Sequence, residues 1–177
     1  MAILKPKIQT FEDLFLMKMQ VIYDVESEIL KALPKMIKKA TDPDLEKALS
    51  GHLAETEIQK ERVEQIFDMV GAKPKKMACA AIRGLVADAE DVIAMKPPSE
   101  LLDAALIGAA RSVEHFEMSK YMAAISWAEA LGHADAAKLL ETTLEEERSA
   151  DLKLVEAAET VNERALETVI GDEDEDE

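Results

Sequence analysis

Apolar residues recur at spacings of three and four along most of this 177-residue chain, the period of helices with one buried face. The first stripe, Phe15, Met19, Ile22, Leu30, Leu33 and Ile37, predicts a helix from about Thr10 to Lys39. Thr10 offers an N-terminal cap, and Glu12 and Asp13 sit where the helix dipole favours acids. Pro34 lies inside this span, but the MIKK that follows continues the pattern, so a kink is expected rather than a stop. Asp42 and Pro43 open a second helix that reaches about Val70, with Gly71 and Pro74 ending it. A shorter third helix, about Lys76 to Met95, stops at Pro97 and Pro98. The fourth starts after Ser99 as cap and ends at Gly132; the fifth runs from about Ala134 to Thr168, with Gly171 closing it. Short joins make helices 1 and 2, and 4 and 5, antiparallel neighbours, and helix 3 falls in the long crossover between the pairs. The predicted fold is all-α: a ferritin-like antiparallel four-helix bundle with an additional shorter helix in the crossover, spanning residues 1–171.

Four of these stripes turn polar near their centres. Glu26 interrupts helix 1 between Ile22 and Leu30. Helix 2 reads Leu45, Ala48, His52, Glu55, Gln59, Ile66, Val70, and helix 4 passes through Glu114 and Glu117 between Ala110 and Tyr121. Helix 5 reads Leu140, Leu144, Glu147, Asp151, Leu154, Ala158. Antiparallel packing brings the four interruptions to one level, so a single layer would contain Glu26, His52, Glu55, Glu114, Glu117, Glu147 and Asp151. Carboxylates buried together cannot all stay ionised without counter-charge, and Arg62 and Arg111 are the nearest cationic side chains. Two divalent cations would supply that charge. An oxygen-rich donor set with one imidazole favours Fe or Mn, and the three- and four-residue spacings let neighbours reach one ion or bridge two. The blander reading makes each acid a boundary residue and His52 a core histidine. Tyr23 and Tyr121, one turn from Glu26 and Glu117, are placed either to donate to a ligand carboxylate or to act as boundary aromatics. His115 lies beside the helix 4 stripe, as a support to a ligand or facing solvent; Arg83, Asp88 and Glu90 read as a solvated face of helix 3.

Composition narrows the field. The chain is 48% hydrophobic but only 4% aromatic, with six Gly and six Pro, a profile that suits helices better than a sandwich or barrel. Its formal charge is −16; six of those charges fall in residues 172–177, read as a disordered acidic tail, and the body keeps the other ten. Nucleic acid is therefore a poor partner. The single cysteine, Cys79, lies in an apolar stretch and reads as a buried small residue in a reducing compartment. Neither a signal-peptide pattern nor a membrane-length apolar run is seen, so a cytoplasmic protein without membrane contact is the expectation.

Several segments, IYDVESEILKALPKM, HLAET with ERVEQIF, CAAIRGL, VEHFEMSKY and LEEERSAD, resemble the YciE/YciF-type bacterial stress proteins in order and spacing, up to about Ala158. The resemblance implies a ferritin-like bundle, a homodimer, and a relationship to rubrerythrin-type di-metal proteins. Against that wider pattern, Glu26, Glu55, the Glu114/Glu117 pair and Glu147 match its carboxylates. The usual Glu-x-x-His is reversed as His52-x-x-Glu55, and Asp151 stands where a histidine is expected in the last helix. The function implied is a di-metal carboxylate stress protein holding two Fe or Mn ions that react with dioxygen or peroxide, an oxidoreductase of ferroxidase or peroxidase type. The competing reading is a non-enzymatic dimer whose polar layer holds no redox metal.

Overall fold

The computed structural model describes residues 8–173. Five helices follow one another: α1 (Phe11–Ile37), α2 (Pro43–Met69), α3 (Ala80–Met95), α4 (Ser99–Ala130) and α5 (Ala134–Glu173). α1 opens on a capping box in which Thr10 Oγ1 accepts from the Asp13 amide and Asp13 Oδ2 accepts from the Thr10 amide, both at 3.0 Å. It continues through Pro34, as the pattern predicts. Asp42 caps α2, its Oδ1 accepting from the amides of Asp44 and Leu45 at 2.9 Å.

Three boundaries differ from the sequence expectation. α3 begins at Ala80 rather than Lys76, because the backbone before it bonds to α1 instead of to itself. Met77 N–H donates to the Gln20 carbonyl at 3.0 Å and Cys79 N–H to Asp24 Oδ2 at 2.8 Å. Ser99 is the first residue of α4, not its cap; the extended Pro98 holds the cap position and Ser99 Oγ donates to Glu100 Oε2. α5 passes through Gly171 to Glu173. Glycine lowers helix propensity but ends a helix only when the chain turns left-handed or a proline follows. Residues 174–177, most of the expected acidic tail, lie outside the described residues.

Pairwise packing gives the topology. α1 lies against α2 and α4, and α5 against α2 and α4, so α1 and α5 face each other diagonally. Along α2 the partners on α5 run backwards: Glu55 meets Lys153, and Arg62 meets Thr143 and Glu146. Phe11 and Lys18 of α1 likewise stack on Trp127 of α4 while Glu26 meets Tyr121. Neighbours are antiparallel all round, and α3 covers the α1–α4 side. Loops are locked by buried acids. Asp103 of α4 accepts from Thr41 N–H at 2.9 Å, Thr41 Oγ1 at 2.7 Å and Asp42 N–H at 2.9 Å, fixing the α1–α2 turn. Asp24 takes Arg83 Nη2 at 2.9 Å besides the Cys79 amide, so Arg83, exposed as expected, also makes a tertiary contact.

The apolar core is not continuous. One cluster, with Ile29, Leu33, Leu45, Leu49, Ile82, Leu106 and Leu154, fills the end near the α1–α2 turn. The other, with Phe15, Met19, Ile66, Phe67, Ala124 and Leu140, fills the opposite end. Between them the chain buries acids. Among the described residues no helix is long and apolar enough to cross a membrane.

Candidate metal centre

Five carboxylates or imidazoles of the predicted layer are withdrawn from water: Glu26, His52, Glu114, Glu117 and Glu147, none more than 4% exposed. They come from four helices at one level, Glu26 from α1, His52 from α2, Glu114 and Glu117 from one face of α4, and Glu147 from α5. One ligand atom from each of His52, Glu114, Glu117 and Glu147 lies within 4.8 Å of the other three. Ligands about 2.1 Å from one ion on opposite sides stand about 4.2 Å apart, so these four need only a small contraction to share a cation. His52 Nε2 is 3.4 Å from Glu114 Oε1 and 4.0 Å from Glu117 Oε2.

Hydrogen bonding leaves this layer incomplete. Among the described residues, ten buried side-chain atoms lack a partner, and all ten belong to it: both nitrogens of His52, both oxygens of Glu117 and of Glu147, and one oxygen each on Glu26, Glu55, Gln59 and Glu114. Native interiors seldom leave such atoms unpaired, because each loses its bonds to water on burial. The surroundings respond as expected for missing counter-charge. Burial pushes the Glu114 carboxyl up to about 7 and the Glu26 carboxyl up to about 8. Glu147 adds to the rise at Glu26, while the hydrogen bond from Tyr121 opposes it. Glu117 and Glu147 rise well above the ordinary range, first through burial and then through their carboxylate neighbours. Burial, helped by the Lys153 charge, pulls His52 down to about 4, leaving a neutral imidazole that can ligate. Without a cation the layer must hold protons; with one it can release them.

Two predicted residues lie at the edge. Glu55 is half-buried and its Oε1 accepts from Lys153 Nζ at 3.2 Å, though its Oε2 is buried without a partner. Asp151 is turned away, bound by Arg111 Nε at 2.7 Å and facing His115 Nε2 at 3.3 Å. The cause is helical drift. The buried line of α2 steps from His52 to Thr56 and Gln59, and that of α5 from Glu147 to Ala150 and Leu154, so Glu55 and Asp151 fall one position aside. Tyr121, fully buried, donates its hydroxyl to Glu26 Oε1, whereas Tyr23 donates to Glu64 Oε1 at 2.6 Å instead. Gln59 and Thr56 join the layer; both are fully buried polar residues on the His52 line. Gln59 Nε2 donates to Glu146 Oε2 at 3.1 Å, an acid that Arg62 also grips at 2.5 and 2.7 Å. Gln59 stood on the predicted stripe, but an amide carries no ligand signature in a sequence. Cys79 is buried, as its apolar setting predicts.

Residues 10–167 match the model of a family described as a domain of unknown function, DUF892. The chain belongs to that family. This DUF892 chain is 39% identical over 160 residues to protein YciF of Escherichia coli strain K12, covering 89% of itself and 96% of YciF. The crystal structure of the E. coli stress protein YciF superposes with a TM-score of 0.85 at 38% identity, over 88% of this chain and 99% of that one. YcfI from Rhodopseudomonas palustris gives 0.83 at 44% identity, over 86% and 97%. The matches span the whole bundle, including all four helices that carry the buried layer.

Proposed function

We propose that this DUF892 protein is a ferritin-like di-metal carboxylate protein of the stress response, with two Fe or Mn ions in the buried layer. The observation that carries the reading is the set of ten unpartnered buried atoms, all within one layer of acids and one neutral histidine. His52, Glu114, Glu117 and Glu147 would hold one ion. Glu117 and Glu147 each present two unpartnered oxygens, and the unpartnered oxygens of Glu26 and Glu55 would be available to a second ion. Four buried carboxylates plus half-buried Glu55 match the +4 of two divalent cations, with Lys153 offsetting the remainder. When bound, such a pair supplies two electrons, one from each ion, which with two protons reduce dioxygen to hydrogen peroxide or hydrogen peroxide to water.

The chain's own residues fit that task. Tyr121 holds Glu26 in place through its hydroxyl, and the apolar clusters on either side keep bulk water from the layer. Carboxyls that keep protons without metal can give them up when a cation arrives, which couples loading to pH. The stress role follows the relative named for one. The chain is also proposed to form a homodimer, which light scattering during size-exclusion chromatography measures directly. Metal analysis of protein isolated without chelator, followed by anaerobic Fe(II) titration and exposure to air, tests the centre. Bound Fe or Mn near two per chain and a ferric absorption band are expected. Absence of both metals with no Fe(II) uptake overturns the reading in favour of a non-enzymatic protein whose layer stays protonated.

A further inference from the structure

Beside the acidic layer, on the side that α3 covers, lies a cavity of about 30 Å³. Its walls are apolar side chains of three helices, among them Ile29 and Leu33 from α1, Val86 and Ala89 from α3, and Val113 from α4. Its deep end is formed by His52 and Glu114, two of the four convergent residues of the centre. Its shallow end reaches exposed Lys35 and Glu90, whose Nζ and Oε1 pair at 2.6 Å from α1 to α3.

We infer that this cavity is the entry and holding site for dioxygen, which sets dioxygen rather than hydrogen peroxide as the oxidant reaching the His52–Glu114 side of the centre. The inference rests on the di-metal reading and adds its substrate. Size comes first. A single water-sized molecule needs roughly 10–15 Å³ of such space, so the cavity takes a diatomic molecule and excludes chains and rings. Polarity comes second. Apolar cavities stay dry and accept apolar guests. Dioxygen has no strong hydrogen bonds to lose on entering. Hydrogen peroxide carries two hydroxyls that would leave water for walls offering no partner until His52 and Glu114 are reached. Position comes third: the same helix that lines the space, α3, is anchored to α1 through Asp24, Cys79 and Arg83, which fixes the wall against collapse. Buried Ala89 is among the small side chains that line the space.

The test uses the full chain and xenon as an apolar probe, read by crystallography under xenon pressure and by xenon NMR, with and without bound iron. Ala89→Leu and Val86→Phe fill the space without touching a proposed ligand. Val86 is only half-buried, so its variant remains informative if Ala89→Leu overpacks and misfolds. Xenon is expected in the cavity of the natural chain and absent from both variants, with iron content unchanged. Oxidation of bound Fe(II) by dissolved dioxygen should slow by about tenfold in the variants, while oxidation by added hydrogen peroxide stays within about twofold. An empty cavity under xenon overturns the inference. So does an unchanged dioxygen rate in a filled variant, or equal slowing with both oxidants, which would mark a general disturbance of the centre. If metal analysis shows that no iron binds, the di-metal reading itself fails, and xenon in the cavity then marks only a packing void.

Discussion

Removing metal and raising the pH should weaken this protein, and the size of the effect can be worked from the buried layer. Above about pH 6.5 an unfolded chain keeps almost no protons on its carboxyls. The folded, metal-free chain holds them to higher pH on Glu117 and Glu147, because burial drives both pKa values well up. Glu114 and Glu26 release theirs on the way, near 7 and 8. The folded state therefore binds more protons than the unfolded state, and stability must fall as pH rises. Each proton kept only in the fold contributes about 1.4 kcal/mol per pH unit. Between about pH 6.5 and pH 8 the protons that Glu26 and Glu114 give up remove roughly 2 kcal/mol, and Glu117 and Glu147, raised in the same direction, add to that loss, against the roughly 5–15 kcal/mol that holds a domain folded. His52 acts in the opposite sense, but below this window. Its pKa is lowered to about 4, so its contribution rises with pH from there and is complete by its ordinary value of 6.5. Divalent cations bound in the layer would displace the protons and reverse the trend, because loading becomes easier as pH rises. Urea unfolding followed by circular dichroism, on chelator-stripped and metal-loaded protein across this range, measures both slopes. A stripped protein whose stability stays level or climbs would refute the reasoning, because the layer would then be neither desolvated nor short of counter-charge.

Three substitutions probe separate parts of the same structure. Glu117→Leu removes two unpartnered buried oxygens and should raise the stability of the stripped protein by about 1–3 kcal/mol at neutral pH, while metal analysis shows lost binding. Arg111→Ala frees Asp151 from a partly exposed pair; it should change the urea midpoint by less than about 1 kcal/mol and leave metal content intact, and loss of metal would instead place Asp151 in the ligand set. Asp103→Ala strips three hydrogen bonds from the Thr41–Asp42 turn and should cost about 3 kcal/mol in the same unfolding assay without altering metal stoichiometry.

The helices were legible because three- and four-residue spacing states which face is buried, and because Thr10, Asp42 and Pro43 cap as their chemistry requires. The acidic layer was legible for a related reason: Glu26, Glu114, Glu117 and Glu147 interrupt stripes that are apolar in the turns before and after the interruption. Finer placement was not. Whether a stripe continues by three residues or four cannot be read locally, and that single step separates Thr56 from Glu55 and Ala150 from Asp151. Tertiary partners also escaped the pattern. The bonds from Met77 and Cys79 to α1 delay α3, and Arg83 crosses to Asp24; both depend on how elements meet. Tyr121 and Tyr23 were indistinguishable by spacing, and only the approach of α4 to α1 gives Tyr121 to Glu26.

The division of the interior into two hydrocarbon halves has a mechanical consequence. Each half binds its own helix ends tightly, but across the waist the cohesion comes from whatever neutralises the acids. Stripped of cations, the bundle should loosen there, with the middle turns of α2 and α5 losing more of their amide-exchange protection than the turns on either side, as in a beam hinged at its centre. Loaded, the same waist becomes a rivet joining four rods, so one event, the arrival of ions, would both arm the protein and stiffen it.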